Sequence, residues 1–250
     1  MRHPNQIVIY TCVVNGYDRL RQVDSRNIGW DFICFTDRPE KVPAGWRAAS
    51  LQSPPRLQNG HDINRFHKLF PHRLFSKYRY SIYIDGNREY TGNYDDLLEC
   101  FQKSNAAVGA FRHPNKRNLI SEAEACKKYR KFDEYDLTRV QEQLETYTKY
   151  GFDLDSAISA NYFLIRDHSH PNIHAAMSMC WSHLFEFSKR DQMSFNFSLW
   201  KENAPFIFLD DCEGVNATML LGHSHRASLF EKCMHSVRRA ISKFLKPLVK

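Results

Sequence analysis

The sequence predicts an α/β protein built on a mainly parallel central sheet. Two observations support this: short continuous apolar runs, typical of strands buried on both faces, alternate with segments of helical periodicity, and no repeat or linker-like stretch interrupts them. With 250 residues, 42% of them hydrophobic, the chain is long enough to bury a sizeable core. We therefore expect one domain over residues 1–228 and a distinct C-terminal segment, 229–250.

Six apolar runs are the predicted strands. The first is followed by Asn15-Gly16, which is typical of a turn, so we interpret it as a strand of the mature protein and not as a signal peptide. No run approaches the roughly 18 residues of a membrane span. The predicted strands lie at residues 7–14, 32–36, 81–84, 106–111, 160–166 and 205–209.

Segments with apolar residues at helical spacing separate these strands. The polar stretch 115–150 carries its few apolar residues at this spacing and predicts a surface helix or a pair of helices. The other predicted helices lie at residues 63–75, 94–102, 174–187 and 191–200.

The net charge of +7 is concentrated in the C-terminal segment, where residues 229–250 hold six basic side chains and one acidic side chain. A nucleic-acid-binding protein would spread its positive charge over the folded body, so we expect no nucleic-acid partner. The apolar residues of the segment form a helical stripe and predict a basic amphipathic helix. Two interpretations stay open: the helix lies on an anionic membrane surface, or it packs on the domain.

The seven cysteines are scattered, form no CxxC pair and lie mostly in apolar contexts. This distribution predicts reduced thiols in the core and a reducing compartment. We therefore expect a cytoplasmic protein, attached peripherally to the inner face of the membrane if residues 229–250 bind lipid. The sequence contains no GxSxG, GxxxxGK[ST], GxGxxG or HExxH motif, which removes the commonest signals for other enzyme classes.

The strongest chemical signal is Asp85-Gly86-Asn87, which ends a predicted strand. Ligands of open α/β sheets bind beyond the carboxyl ends of the strands. Oxygen atoms of Asp85 and Asn87 suit a divalent cation, Mn²⁺ or Mg²⁺, beside a diphosphate, and Gly86 lets the backbone approach closely. Such a cation would take a further ligand from His223 or His225. Asp-Gly-Asn is also common in ordinary turns, so both interpretations stay open.

Two pairs of polar residues on predicted helices extend this signal. Arg65 and Lys68 are one turn apart and share a helix face, which suits either contact with phosphates or plain exposure to solvent. Asp191 and Gln192 begin a predicted helix, where they either face a polar substrate or cap the helix.

Six sequence strings occur in one order across about three quarters of the chain: YTCVVNGYD (10–18), FICFTD (32–37), NRFHKLFPH (64–72), SIYIDGN (81–87), FRHP (111–114) and KRDQMSFN (189–196). The ordered set resembles GT-A-type nucleotide-sugar glycosyltransferases. It is most similar to the glycosyltransferase-like domain of plant Golgi proteins linked to mucilage and pollen development, formerly a domain of unknown function, and to its bacterial relatives. The resemblance implies a GT-A-like, Rossmann-like sheet flanked by helices.

The resemblance also implies roles for individual residues. Asp191, Gln192 and Asp85 would be catalytic, with Asp191 on the acceptor side, where an inverting enzyme needs a carboxylate to deprotonate the hydroxyl. Tyr10, Thr11 and Tyr17 would follow the first strand beside the base and ribose, and Asp37 would end the second. The donor-binding residues would be Tyr10, Thr11, Tyr17, Asp37, Arg65, Lys68, Asp85, Gly86, Asn87 and Arg190. The metal ligands would be Asp85, Asn87, His223 and His225.

The implied activity is transfer of a sugar from a nucleotide-sugar donor, with a UDP-sugar favoured, to a hydroxyl of a glycan or lipid-linked glycan in cell-surface polysaccharide synthesis. Asn87 departs from the Asp-x-Asp pattern of the resembling enzymes. The need for a cation therefore stays open, with Arg65 and Lys68 as alternative sources of positive charge. A catalytically inactive module that binds a glycan or a nucleotide is the alternative function.

Overall fold

The computed structural model of the protein describes residues 7–27, 29–115, 117–129 and 134–222. Within these residues the strands are β1 (Ile7–Val13), β2 (Asp31–Thr36), β3 (Arg47–Ala49), β4 (Tyr80–Ile84), β5 (Arg88–Tyr90), β6 (Val108–Arg112), β7 (Ser159–Asp167), β8 (Phe206–Phe208) and β9 (Leu220–Gly222). The helices are α1 (Gly60–Leu69), α2 (Pro71–Leu74), α3 (Tyr94–Lys103), α4 (Leu119–Lys128), α5 (Glu134–Lys149), α6 (Ile173–Glu186) and α7 (Asp191–Lys201).

Seven of these strands form one sheet in the order β3-β2-β1-β4-β7-β6-β8. Strand β7 runs antiparallel to its neighbours β4 and β6, whereas the other pairings in this sheet are parallel. The predicted fold class, an α/β domain with a mainly parallel central sheet, is confirmed. Strands β5 and β9 form a separate antiparallel pair, which the sequence analysis missed because β5, with the sequence Arg-Glu-Tyr, is not an apolar run.

Helices cover both faces of the sheet, which explains the continuous apolar runs of its central strands. All seven residues of β1 are buried. On one face α1 and α6 pack on the sheet through residues such as Leu69 and Met177, and on the other face α3 packs through Leu97 and Phe101. A third apolar cluster joins α4, α5 and α7, where the rings of Tyr147 and Phe197 stack at 3.6 Å.

The helix predicted over residues 63–75 is two helices. Helix α1 begins at Gly60, three residues earlier than predicted, because the Asn59 side chain accepts a hydrogen bond from the Asp62 backbone at 2.8 Å. Phe70 separates α1 from α2, and Pro71 begins α2. Proline has no backbone donor for a helix interior and fits the first turn, so the break falls before it.

The prediction that all cysteines are reduced is wrong for one pair. Cys100 on α3 and Cys212 after β8 form a disulfide, with their Cα atoms 6.0 Å apart. The pair is separated by 112 residues, so only the packing of α3 against the segment after β8 reveals it. Cys12, Cys34, Cys126 and Cys180 are buried thiols that form no disulfide, as predicted.

None of the described helices is both long enough and apolar enough to cross a bilayer. The predicted C-terminal helix, 229–250, and the two histidines His223 and His225 lie outside the described residues.

Candidate active site

A cleft of about 680 Å³ opens beyond the carboxyl ends of β1 and β2. Its lining residues include the four basic residues Arg19, Arg21, Arg38 and Lys41 and one acidic residue, Asp18. This edge is where open α/β sheets bind their ligands, and the excess of basic residues favours an anionic ligand. We name this feature the basic cleft.

The loop after β1 owes its shape to left-handed backbone and to Asp37. Asn15 and Gly16 have φ angles of 58° and 65°, and the Asp37 carboxylate accepts hydrogen bonds from the Asn15 backbone at 2.9 and 3.1 Å. An added Cβ at Gly16 would lie 2.8 Å from Nη1 of Arg38, so the glycine leaves room for this arginine beside the cleft. Asp37 lies directly after the end of β2, as predicted, and it holds the loop that forms one wall of the cleft.

The turn Asp85-Gly86-Asn87 directly follows β4 and touches the basic cleft. The Asp85 backbone donates to the Tyr162 carbonyl of β7 at 2.9 Å, which holds the turn against the sheet. An added Cβ at Gly86 would lie 2.7 Å from Val13 and 2.9 Å from Asp18, two residues that line the cleft. Glycine is therefore needed for the turn and the cleft to adjoin. Asn87 is buried.

Arg65 and Lys68 of α1 meet Asp191 of α7 and Asp85 in a buried charge cluster. The Lys68 ammonium lies 2.8 Å from Oδ2 of Asp191 and 3.9 Å from Oδ1 of Asp85. Nε of Arg65 lies 3.1 Å from Oδ1 of Asp191. Lys68 and Asp191 are 2% and 3% exposed. The sequence-predicted residues of three distant segments are thus brought together, and the shared face of Arg65 and Lys68 is confirmed.

The charge cluster keeps Asp191 ionised. Burial by itself would raise the pKa of this carboxyl, but the charges of Arg65 and Lys68 outweigh it and hold the pKa well below its usual range. Burial lowers the pKa of the Lys68 ammonium, and the charges of Asp191 and Asp85 oppose that shift. A carboxylate with so low a pKa is a weak base, so the expected acceptor-side role of Asp191 as a base does not fit its surroundings.

Residues around Asp191 anchor α7 to its neighbours. Nδ2 of Asn161 lies 3.4 Å from Oδ2 of Asp191, and the Gln192 side chain donates to the Ser159 backbone carbonyl. Arg190, predicted to bind the donor, is paired with the buried carboxylate of Glu122 on α4 at 2.8 Å. In the structure Gln192 and Arg190 therefore hold α7 in place beside the charge cluster.

Two predicted donor-binding residues are placed differently from the expectation. Tyr10 and Thr11 lie within β1 and not after it, and both are fully buried. The Tyr10 hydroxyl lies 3.1 and 3.2 Å from the carbonyls of His67 and Lys68, which ties β1 to α1. A side chain with no exposed surface cannot line the cleft, so the position expected for these two residues is wrong. Tyr17 does follow β1 and is 57% exposed, between two residues that line the cleft.

The sequence analysis missed the basic residues of the cleft. Arg19 and Arg21 directly follow the string 10–18, and Arg38 directly follows Asp37. The available signal was the position of these arginines just beyond two predicted strand ends, where parallel strands present ligands. Sequence spacing alone does not show that the two strands are neighbours, which the parallel pairing of β1 and β2 does.

The described residues do not by themselves complete a divalent-cation site. Asp85 offers a half-exposed carboxylate and Asn87 a buried amide, and no group of three or more His, Cys, Asp or Glu residues suited to a metal occurs in the described ranges. Hard divalent cations take about six oxygen ligands, so a cation at this turn would need further ligands from water, from a bound diphosphate or from another side chain. The other two predicted ligands, His223 and His225, directly follow β9 in the sequence but lie outside the described residues.

The fold and the site define an α/β protein with a basic cleft and an acidic turn at the carboxyl edge of a mainly parallel sheet. Residues 36–225 match the family model for the TOD1/MUCI70, glycosyltransferase-like domain. The chain therefore belongs to this family, and the resemblance seen in the ordered strings is confirmed.

A curated relative and two solved structures accompany this match. The chain is 27% identical over 157 residues to the probable hexosyltransferase MUCI70 of Arabidopsis thaliana, covering 60% of this chain and 27% of the relative. It thus spans about a quarter of the length of that relative. Core-mannan synthase A of Aspergillus fumigatus, in an Mn/GDP form, is 13% identical with a TM-score of 0.47, covering 84% of this chain and 73% of that one. Mouse xyloside xylosyltransferase 1 is 9% identical with a TM-score of 0.48, covering 81% and 84%. Because both TM-scores are below 0.5, the fold assignment rests on the sheet and on the family.

Proposed function

We propose that this chain is a glycosyltransferase that moves a sugar from a nucleotide-sugar donor, with a UDP-sugar favoured, to a hydroxyl of a glycan or lipid-linked glycan. Membership in a glycosyltransferase-like family supports the reaction class. We further propose that the product belongs to a cell-surface polysaccharide.

The observation that carries this proposal is the contact between the basic cleft and the turn after β4. Val13 and Asp18 line the cleft and also pack against Gly86. A nucleotide in the cleft would therefore place its diphosphate among basic side chains and its sugar near Asp85. That arrangement suits a donor whose diphosphate carries two negative charges and gains a further one as it leaves.

In the proposed transfer, the basic cleft binds the leaving group and Asp85 lies beside the reacting sugar. The bond between the anomeric carbon and a diphosphate oxygen breaks, and the nucleoside diphosphate leaves with the electron pair. Arg38 and Lys41, with the other basic residues of the cleft, stabilise its growing negative charge. The acceptor oxygen forms the new bond to the anomeric carbon and passes its proton to the departing diphosphate. Asp85, whose side chain is 31% exposed, is the carboxylate of the charge cluster that faces the open side of the site.

A divalent cation is part of the proposal in the form that the sequence suggests. Asp85 and Asn87 would supply two oxygen ligands, and His223 and His225 the imidazoles. Isothermal titration of the full chain with Mn²⁺ tests this directly. We expect binding that is lost in the variant His223→Ala/His225→Ala and kept in the variant His113→Ala. Absence of Mn²⁺ binding, with and without nucleotide, would remove the cation from the proposal.

We propose that the protein is cytoplasmic and attaches peripherally to the inner face of the membrane. The predicted membrane contact rests on residues 229–250, which lie outside the described residues. The cytoplasmic assignment rested on reduced cysteines, and the Cys100–Cys212 disulfide removes that argument for one pair. Sedimentation with anionic lipid vesicles, compared between the full chain and Arg238→Gln/Arg239→Gln, tests the membrane contact.

A thermal-shift screen tests the donor site. The full chain is heated with UDP, GDP, CMP and their common sugars, each with and without Mn²⁺. A nucleotide present at 100 times its Kd adds about 2.7 kcal/mol to the free energy of unfolding. We expect one nucleotide family to raise the Tm of the wild-type chain.

Two variants test whether the nucleotide-dependent rise in Tm comes from the basic cleft. Arg38→Gln/Lys41→Gln should lose most of the nucleotide-dependent shift, whereas Lys149→Gln, on an exposed part of α5, should keep it. Stabilisation without any sugar transfer to acceptors would instead favour the alternative function, a module that binds nucleotide without catalysis. No shift with any nucleotide would reject the donor site.

A further inference from the structure

Arg88 is a rigidly held cation at the edge of the site. Its guanidinium carbon lies 4.2 Å from the centroid of the Tyr162 ring. On the β9 side, a side chain at position 222 would collide with Nη1 of Arg88, so the guanidinium occupies the space that Gly222 leaves. The planar group is therefore held between an aromatic ring and a glycine backbone. Such packing fixes the direction of its hydrogen-bond donors before a ligand arrives.

No carboxylate neutralises Arg88 within the described part of the chain. It forms no ion pair there, and its buried Nε has no hydrogen-bond partner. Of the carboxylates close to Tyr162, Asp210 accepts a hydrogen bond from the Arg112 backbone at 2.6 Å, and Asp85 lies 3.9 Å from the Lys68 ammonium. A half-buried arginine without a counter-charge is suited to an anionic group supplied by a ligand.

Arg112 is a second arginine that stacks on an aromatic ring, and it serves as a comparison for Arg88. The guanidinium of Arg112 also lies over an aromatic ring, that of Phe208, at 4.3 Å. Unlike Arg88, Arg112 forms an ion pair with Asp211 at 2.7 Å. Stacking thus occurs at both sites, and only the absence of a carboxylate among the described residues distinguishes Arg88.

The position of Arg88 points to the acceptor side and away from the nucleotide. Arg88 follows Asp85 by three residues, and its backbone donates to the Asp85 carbonyl at 2.8 Å. Tyr162 lies on β7, whereas the basic cleft lies beyond β1 and β2, on the opposite side of β4 in the strand order. A donor that enters through the cleft therefore leaves Arg88 beyond its sugar.

We propose that Arg88 binds an anionic group, a carboxylate or a phosphate, on the acceptor glycan and selects acidic acceptors over neutral ones. This inference rests on the proposed transferase function, because it needs an acceptor at the same site. Arginine matches the two oxygens of such a group with two parallel donors, which lysine cannot do.

The experiment compares three cello-oligosaccharides of equal length in isothermal titrations with the nucleotide-loaded full chain. One is unmodified, one carries a carboxylate at C6 and one carries a phosphate at C6. We expect the wild-type chain to bind one of the charged oligosaccharides at least tenfold more tightly than the neutral one. The charged form that is preferred identifies the acceptor group as carboxylate or phosphate.

Variants then assign the preference to Arg88. Arg88→Gln should abolish it, Arg88→Lys should keep only part of it, and Arg112→Gln should leave it unchanged. Equal binding of the three oligosaccharides, failure of both charged forms to bind, or a preference that survives Arg88→Gln would overturn the inference. Nucleotide binding is measured first in the same cell. Its loss rejects the proposed function, whereas nucleotide binding without an acidic preference rejects only the role of Arg88.

Discussion

The charge cluster and the basic cleft use the same residue types at one edge of the sheet with opposite results. In the cluster, the side chains of Arg65 and Lys68 are 16% and 3% exposed, and both lie within 3.1 Å of Asp191. In the cleft, basic side chains such as Arg38 and Lys41 line an open volume with one acidic residue among them.

Burial explains this difference. Charges interact far more strongly where water is excluded, and a buried charge without a partner costs several kcal/mol. The cluster therefore ties α1 to α7 and has little charge left for a ligand. The cleft cations remain hydrated and can exchange water for phosphate oxygens. We therefore expect the cluster mainly to stabilise the site and the cleft mainly to bind the proposed donor.

The largest expected effect is a loss of stability when the charge cluster is broken. Asp191→Ala leaves two buried cations without their carboxylate, so the free energy of unfolding should fall by about 3–5 kcal/mol. Urea denaturation measures the loss. Asp211→Asn, which breaks the exposed pair with Arg112, is the control and should cost less than about 1 kcal/mol. Wild-type stability in Asp191→Ala would show that the cluster does not hold the helices together.

Substitution of Asp85 should separate catalysis from stability. Its side chain is 31% exposed and 3.9 Å from Lys68, a longer distance than that between Lys68 and Asp191. Asp85→Asn should therefore keep the stability to within about 1 kcal/mol while it abolishes sugar transfer. Transfer is measured with the nucleotide sugar that the thermal-shift screen selects. An active Asp85→Asn variant would remove Asp85 from the catalytic residues.

Gly86 lies between Asp85 of the charge cluster and the basic cleft, so its substitution should lower both the stability and the affinity for nucleotide. In Gly86→Ala the added Cβ crowds Val13 and Asp18, which should cost about 1–3 kcal/mol of stability and weaken nucleotide binding. Gly151→Ala is the control for binding: an added Cβ there meets nothing within 4 Å, but the φ of 83° strains any side chain, so this variant should lose stability without a change in nucleotide affinity. Unchanged nucleotide affinity in Gly86→Ala would mean that the cleft does not depend on the turn.

The pH dependence of stability should come from the cluster. The folded pKa of Asp191 lies below its unfolded value of about 4, so the unfolded chain takes up the proton first. The stabilisation is therefore present above about pH 4 and is lost as the pH falls, by up to ~1.4 kcal/mol per pH unit. Urea denaturation between pH 7 and pH 3 should show Asp191→Asn approaching the wild type at low pH. Parallel curves for the two proteins would contradict this origin.

The smallest expected effect concerns salt. Exposed charges are screened over roughly 10 Å at 0.1 M salt, and buried pairs are screened much less. Raising the salt from about 0.05 to 0.5 M should therefore weaken nucleotide binding severalfold and change the contribution of the charge cluster to stability very little. Titrations and urea denaturation at the two salt concentrations provide the comparison. A nucleotide affinity independent of salt would argue against the basic cleft as the donor site.

Local sequence determined much of the framework. Continuous apolar runs indicated β1, β2, β4 and β7, because strands buried on both faces leave no polar alternation. Helical spacing put Arg65 and Lys68 on one face, and the end of β4 pointed to the turn at Asp85. The ordered strings then led to the family, which the match over residues 36–225 confirms.

Contacts between segments that are distant in sequence decided the charge pairing of Asp191, the disulfide and the surroundings of Arg88. That Asp191 is neutralised by Arg65 and Lys68 depends on α7 packing beside α1, more than 120 residues away in sequence. The Cys100–Cys212 disulfide and the pairing of Arg88 with Gly222 across β5 and β9 arise in the same way. Spacing along a chain reports which face of a helix or strand a residue occupies, whereas burial, charge pairing and cleft shape depend on what another segment places against that face.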